Sequence, residues 1–270
     1  MNNTAPSPDP VRLLDMTGKK GLIVGVANEH SLAWACARNC HAAGAELALT
    51  YLNDKARPFV EPLAQTVEAP LLLPCDVAQE GQLEAVFAKI DETWGKLDFL
   101  VHAIAWAPAA DLHGRLTDCS AEGFAQAMQV SCHSFIRMAK LAEPLMAQGG
   151  SMVTLSFIGA ERVVDHYSLM GPVKAALETS VRYLAQELGP KGIRVNALSA
   201  GAIKTRAASG IEHFDELIRE TETKSPLRRT VTADEVGRAA LLLASDHTTA
   251  ITGEILHVDA GHHVGGMIFH

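Results

Sequence analysis

Seven short apolar runs recur along this chain, and most are separated by stretches with helical periodicity. The runs occupy residues 20–25, 46–52, 71–76, 97–105, 151–156, 193–199 and 254–259. Helical patterns fill 32–43, a polar segment ending near 67, then 80–94, 121–146, 172–188 and 232–245. The apolar runs are near-continuous in Val, Ile, Leu and Ala rather than alternating with polar residues. Strands of that kind are covered on both faces, as in a parallel sheet wrapped by helices. The pattern predicts an α/β protein: a single doubly wound Rossmann domain with a seven-stranded parallel sheet and helices on both faces. Ligands of such a sheet bind at the carboxyl ends of its strands. No composition break or internal repeat divides the chain. One domain is therefore expected over residues 15–270, after a disordered tail at 1–14 that is rich in Pro, Asn and Ser.

Composition narrows the partners. With 270 residues, 48% of them hydrophobic, the chain can bury one large core. Its formal net charge is -8 and no Lys/Arg block interrupts it, which argues against nucleic acid as a partner. No apolar run reaches the roughly 18 residues of a membrane span. The five cysteines (Cys36, Cys40, Cys75, Cys119, Cys132) lie among apolar runs. Cys36 and Cys40 have no second ligand pair at matching spacing, so they read as buried thiols and no metal site is expected. An odd count and the lack of a signal peptide favour a cytoplasmic location.

The first strand–turn–helix is where a dinucleotide would meet a glycine fingerprint. Here it reads Gly25-Val-Ala-Asn-Glu-His-Ser-Leu-Ala33, with only the first glycine in place. Ser31 near the helix start could meet a pyrophosphate beside free backbone N–H groups, and small Ala33 would allow close helix–strand packing. Asp76 and Val77 end the third strand, where an adenine amino group would be held; Ile104 ends the fourth, near a nicotinamide-side ribose. A turn role for Asp76 and core packing for Ile104 fit as well. The second strand ends Tyr51-Leu52-Asn53-Asp54, followed by Lys55 and Arg57. No arginine follows the strand directly, which favours NADH over NADPH.

Chemistry concentrates between Phe157 and Lys174. Tyr167 and Lys174 stand seven residues apart, the first ahead of a helix and the second about two turns on. Hydride delivery to an unsaturated carbonyl compound creates an oxyanion, to which a phenol can donate. An ammonium beside it would hold the ribose and lower the phenol's pKa. Ser168 is expected to cap the helix, and Pro172 suits its first turn.

These residues and several others carry a family resemblance. The chain resembles the short-chain dehydrogenases/reductases, and within them the bacterial enoyl-acyl carrier protein reductases of type II fatty acid synthesis. The wider superfamily carries Tyr-x3-Lys, but Met170 stands four residues before Lys174. The enoyl reductases carry Tyr-x6-Lys, which Tyr167 and Lys174 match. The stretches 25–33, 50–55, 75–77, 102–108, 194–210 and 252–261 are similar too, and the resemblance spans about 16–267. It implies NADH-dependent reduction of the trans-2 double bond of an enoyl thioester, carried on acyl carrier protein or coenzyme A. It also implies a homotetramer paired through helices at 121–146 and 172–188.

By position, the cofactor contacts would be Gly25, Ser31, Leu32, Leu52, Asp76, Val77, Ile104, Lys174, Ile203, Lys204, Thr205, Arg206 and Ala207. Ala107 and Tyr167 would face substrate, and residues 202–225 would form a substrate lid. The chain departs from the family at Phe157, where the pattern has a first tyrosine. It departs again at Leu52 (a glutamine in the pattern) and at Ala105 and Trp106 (glycine and phenylalanine). These differences suggest a diverged paralogue. Two other readings stand beside this one: a carbonyl reductase or alcohol dehydrogenase of the same fold, which Met170 opposes, and a non-catalytic NAD-binding regulator, which Phe157 would suit.

Other residues have plainer readings. His166 reads as a surface histidine, and Glu161 and Asp165 as turn charges. His262, His263 and His270 read as solvated or contact residues, and Arg228-Arg229 as a local ion pair. Met170 and Met267 read as core, while Trp106, at a strand's carboxyl end, reads as pocket lining.

Overall fold

The computed structural model describes residues 14–205 and 214–265. Seven strands form one sheet: β1 (Lys20–Val24), β2 (Glu46–Tyr51), β3 (Leu71–Pro74), β4 (Phe99–His102), β5 (Gly150–Phe157), β6 (Ile193–Ala200) and β7 (Ile255–Val258). Their order is β3-β2-β1-β4-β5-β6-β7, and every pairing is parallel. The chain winds outward from β1 to β3, then returns to place β4 on the other side of β1. That reversal opens a crevice at the carboxyl ends of β1 and β4.

The helices are α1 (Leu32–Ala42), α2 (Arg57–Thr66), α3 (Gln82–Trp94), α4 (Ala109–Leu112), α5 (Ala121–Met128), α6 (Ser134–Ala142), α7 (Met170–Leu188), α8 (Phe214–Lys224) and α9 (Ala233–Ala244). One core joins α1, α2 and α9 to one face of the sheet. A second joins α3, α6 and α7 to the other. The apolar strands are thus covered on both sides, as their composition requires.

The helix expected at 121–146 is interrupted. A π turn at Gln129–His133 separates α5 from α6, and a short 3-10 turn at Glu143–Leu145 follows. The interruption serves buried polar groups. Ser131 Oγ accepts from the Trp106 backbone N–H at 2.8 Å and donates to the Trp106 carbonyl at 2.9 Å. Ser134 Oγ donates to the Val130 carbonyl at 2.6 Å, so its proton is committed. His102 Nε2, 2.9 Å away, therefore donates to Ser134, and Nδ1 accepts from Thr154 Oγ1 at 2.8 Å. Burial, and next the charge of Lys174, push the His102 pKa down to about 3. This neutral ring stitches β4 to β5 and to the first residue of α6.

The 194–196 stretch is also a structural clamp. Buried Arg194 donates to the carbonyls of Leu243 and Ser245 and to Thr248 Oγ1. Asn196 donates to the Ile251 carbonyl and accepts from the Glu254 N–H. Both fasten β6 to the chain that enters β7.

Candidate active site

The candidate residues that the structure describes gather at the carboxyl edge of the sheet. Gly25 follows β1 with φ +100, and a Cβ there would stand 2.4 Å from the Ala103 carbonyl oxygen and 3.2 Å from Ile104 Cγ1. Only glycine fits this turn, which leaves a bare backbone surface between β1 and β4. Ser31 caps α1: its Oγ accepts from the Trp34 N–H at 3.3 Å and donates to the Asn28 carbonyl at 2.7 Å. The first turn of α1 carries no acidic side chain, so the helix's positive end faces the crevice unopposed.

Further along the edge, Leu52 follows β2 and is 53% exposed. Arg57, the nearest guanidinium, is engaged by Glu61 at 3.0 Å. Val77 is buried, while the Asp76 carboxylate accepts from the Ala78 N–H at 3.0 Å. Asp76 thus makes a turn bond of its own, as the plainer reading of it had allowed. From β3 to β5 the edge crosses four strand gaps, about 19 Å at normal sheet spacing. That span suits an extended dinucleotide.

At the other end lie the aromatic residues. Phe157, the last residue of β5, packs on Tyr167 with ring centroids 4.9 Å apart and planes tilted by 56°. Tyr167 and Ala107 are buried with Leu169, Met170 and Val173, and Phe157 packs against this cluster. Gly159 allows the Tyr167 ring its place, since a Cβ there would lie 2.4 Å from Tyr167 Cδ1. Trp106 is 49% exposed at the rim. The loop before α7 is strained around Tyr167: His166 has φ 61 and Ser168 φ 30, a region L residues rarely occupy.

Two local expectations fail here. Ser168 does not cap α7; the helix begins at Met170 and has no side-chain cap. Ser168 Oγ is instead buried without a hydrogen-bond partner among the described residues, because the left-handed backbone turns it away from the helix's N–H groups. Pro172 does fall in the first turn. Nor does the ammonium lower the phenol's pKa. Burial, and then the Glu178 carboxylate, push Tyr167 above the ordinary phenol range. Lys174 Nζ is buried and donates to the Leu155 carbonyl at 2.7 Å. Burial lowers the Lys174 pKa to about 8, against the opposing charges of Glu178 and Cys132.

Ile203 follows β6 at the same edge, and Lys204 pairs with Asp215 of α8 at 2.6 Å. Leu32 begins α1, and Thr205 closes the described chain before the gap. Arg206 and Ala207 lie outside the described residues, as do 206–213 of the lid expected at 202–225, together with Met267 and His270. Arg229 forms the expected local ion pair, 2.7 Å from Glu235. His263 pairs with Asp259 at 3.0 Å and stacks on His257. Among the described residues, no cluster of His, Cys, Asp or Glu could hold a metal ion. None of their helices is long and apolar enough to cross a membrane.

Glu178 went unnoticed in the sequence, although it stands four residues after Lys174 on the buried stripe of α7. A carboxylate at that helical spacing from a buried lysine was the available signal. Ser131 and Ser134 gave no comparable signal, because nothing in their spacing marks a π turn.

Residues 25–263 match the family model described as enoyl-(acyl carrier protein) reductase. The chain belongs to the enoyl-acyl carrier protein reductase family. Among curated relatives, it is 50% identical over 252 residues to the enoyl-[acyl-carrier-protein] reductase [NADH] 1 of Rhizobium meliloti (strain 1021), covering 93% of each chain. It is 43% identical to the Escherichia coli (strain K12) NADH enoyl reductase, covering 93% of this chain and 97% of that one. The solved enoyl reductase of Anaplasma phagocytophilum in complex with NAD superposes with a TM-score of 0.90 at 51% identity, over 93% of this chain and 96% of that one. The Bacillus cereus enoyl reductase, solved with NADP+ and an indole naphthyridinone, gives 0.91 at 44% identity, over 93% and 99%. The two solved enoyl reductases share this chain's fold over 93% of its length.

Proposed function

We propose that this protein reduces the trans-2 double bond of an enoyl thioester with NADH, as an oxidoreductase of type II fatty acid synthesis. The observation that carries the reading is that Tyr167 packs on Phe157 and Lys174 is held on Leu155, both at β5, on the sheet edge that also carries the bare turn at Gly25. The edge fits a dinucleotide. Gly25 leaves backbone open to a pyrophosphate, the positive end of α1 has no acidic side chain in its first turn to oppose an anion, and Leu52, Asp76 and Val77 would line the adenosine end. Ile104, Lys174 and the 203–207 segment would hold the nicotinamide half, with Ser31 and Leu32 at the phosphates. Engagement of Arg57 by Glu61 supports NADH over NADPH.

The bound cofactor supplies the hydride for the substrate's β-carbon. What the chain contributes is orientation and charge. Electron density would then shift onto the thioester carbonyl oxygen, to which the protonated Tyr167 phenol donates a hydrogen bond, and the enolate would take a proton from solvent at its α-carbon to give the saturated thioester. Its raised pKa keeps the proton on the phenol across the working range. Lys174 is pinned on Leu155 at the end of β5, where its ammonium can orient a ribose. Ala107, Met170 and Trp106 offer an apolar wall for the acyl chain.

Finer features of the assembly belong to the same proposal. The chain works as one Rossmann-type domain over 15–270 whose 202–225 segment acts as the lid. It acts in the cytoplasm on acyl carrier protein or coenzyme A thioesters. It forms a homotetramer through α5, α6 and α7, a reading supported by exposed Phe124, Ile136 and Tyr183 on those helices. The test is product analysis: crotonyl thioester with NADH should yield butyryl thioester. An unsaturated alcohol or unchanged substrate would overturn the assignment.

Phe157 is expected to act through its ring, which packs on Tyr167, rather than through the missing hydroxyl. Phe157→Tyr should therefore change kcat/KM for crotonyl thioester by less than about threefold, under 1 kcal/mol. A tenfold gain in steady-state kinetics would show that the natural residue impairs the reaction.

A further inference from the structure

Two neighbouring residues of β5 take hold of two residues one turn apart on α7. The Leu155 carbonyl accepts from Lys174 Nζ at 2.7 Å, and Ser156 Oγ donates to Glu178 Oε1 at 2.5 Å. Lys174 and Glu178 are both buried. Helical spacing sets them on one buried stripe of α7 that faces β5. Tying a helix to a strand does not need a charge: a glutamine would accept the same serine proton. Burying a carboxylate is costly unless it is hydrogen-bonded and near an opposite charge, and Glu178 has Ser156 and the buried Lys174 one turn away.

We propose that Glu178 is a positioning residue for the reduction, one that holds the Tyr167–Lys174 pair in its acid form, phenol and ammonium, through its anchored negative charge. The proposal rests on the enoyl reductase reading, in which that acid form is the working one. The charge acts on both partners in the same sense, raising the pKa of Tyr167 and of Lys174. Glu178 itself is pushed upward by burial and by Glu161 from the loop after β5, and held down by Ser156, Arg182 and Lys174. The other titratable group acting on Lys174 is Cys132 from the π turn; His102 from β4 feels the Lys174 charge and burial keeps it neutral. Glu178 is thus the carboxylate that offsets the buried ammonium.

The test is Glu178→Gln, which keeps the acceptor for Ser156 and removes the charge. The carbon-13 resonance of the Lys174 ε-carbon, followed against pH, should show its midpoint fall by about one unit. The basic limb of kcat/KM for crotonyl thioester should move down with it. Glu178→Asp, which restores a carboxylate, should recover part of the shift. Ser156→Ala, which frees the carboxylate from its anchor, should give a smaller shift in the same direction, and covers the case in which the glutamine variant does not fold. An unmoved Lys174 midpoint in the folded variants would overturn the proposal and leave Glu178 as a structural tie. A moved midpoint in a protein that reduces no enoyl thioester would sustain the charge coupling and overturn the enoyl reductase reading instead.

Discussion

Tyr167→Phe is expected to lower kcat for enoyl thioester reduction by about 10²- to 10³-fold while leaving NADH affinity unchanged. The substitution removes one oxygen from a ring already fixed by Phe157 and by the space over Gly159. Packing should therefore survive, and the loss should isolate the phenol's donation to the carbonyl oxygen. A hydrogen bond that strengthens as charge develops is worth about 3–4 kcal/mol in such sites, which sets the size of the effect. Stopped-flow turnover and fluorescence titration with NADH separate the two quantities. A variant that lost cofactor binding as well would show that the phenol holds the ribose and not the substrate.

Lys174→Met should do the converse. The side chain keeps its length and apolar stem but loses the ammonium, so KM for NADH should rise by about tenfold and kcat/KM fall by about 10²-fold. The wild-type protein should show the same dependence through pH. Burial has already lowered the Lys174 pKa to about 8. The ammonium is present below that point and lost above it, so kcat/KM should be level below about 8 and decline as the pH rises further. An activity that stayed level to pH 10 would mean either that bound cofactor restores the lysine's ordinary range or that its charge is not needed. Repeating the profile with NADH held saturating separates the two.

Much of this was legible in the sequence because the fold and the site share one pattern. All seven strands lie where near-continuous apolar runs predicted them, since a strand covered on both faces can carry little else. The Tyr167–Lys174 spacing fixed the pair's place across the loop and first turns of α7. What escaped notice depended on contacts between distant segments. The π turn aims Ser131 at Trp106 and brings Ser134 to His102, joining two segments of the chain that are 25 to 32 residues apart. A helical pattern from 121 to 146 carries no trace of that. Ser168 looked like a cap because of its residue type, but its left-handed backbone, imposed by the turn around Tyr167, removes the geometry a cap needs. Glu178 was passed over as one more acidic residue on a helix. Its burial follows from the face that α7 presents to β5, a packing that its residue type does not reveal.

The departures from the family pattern can be weighed in the same terms. Phe157 keeps an aromatic ring against Tyr167, and Trp106 keeps bulk at an exposed position after β4. Leu52 puts an exposed apolar surface just after β2. None of these disturbs Gly25, Tyr167 or Lys174, which supports a changed preference more than a changed reaction.

The most direct test of the central claim is a comparison of NADH oxidation with crotonyl thioester, with acetoacetyl thioester and with no substrate, at equal concentrations. Reduction of the enoyl compound should be the faster by at least about tenfold, with negligible background. Faster turnover of the keto compound would contradict the assignment and make the protein a carbonyl reductase; tight NADH binding with no turnover of either would make it a binding protein that has lost its chemistry.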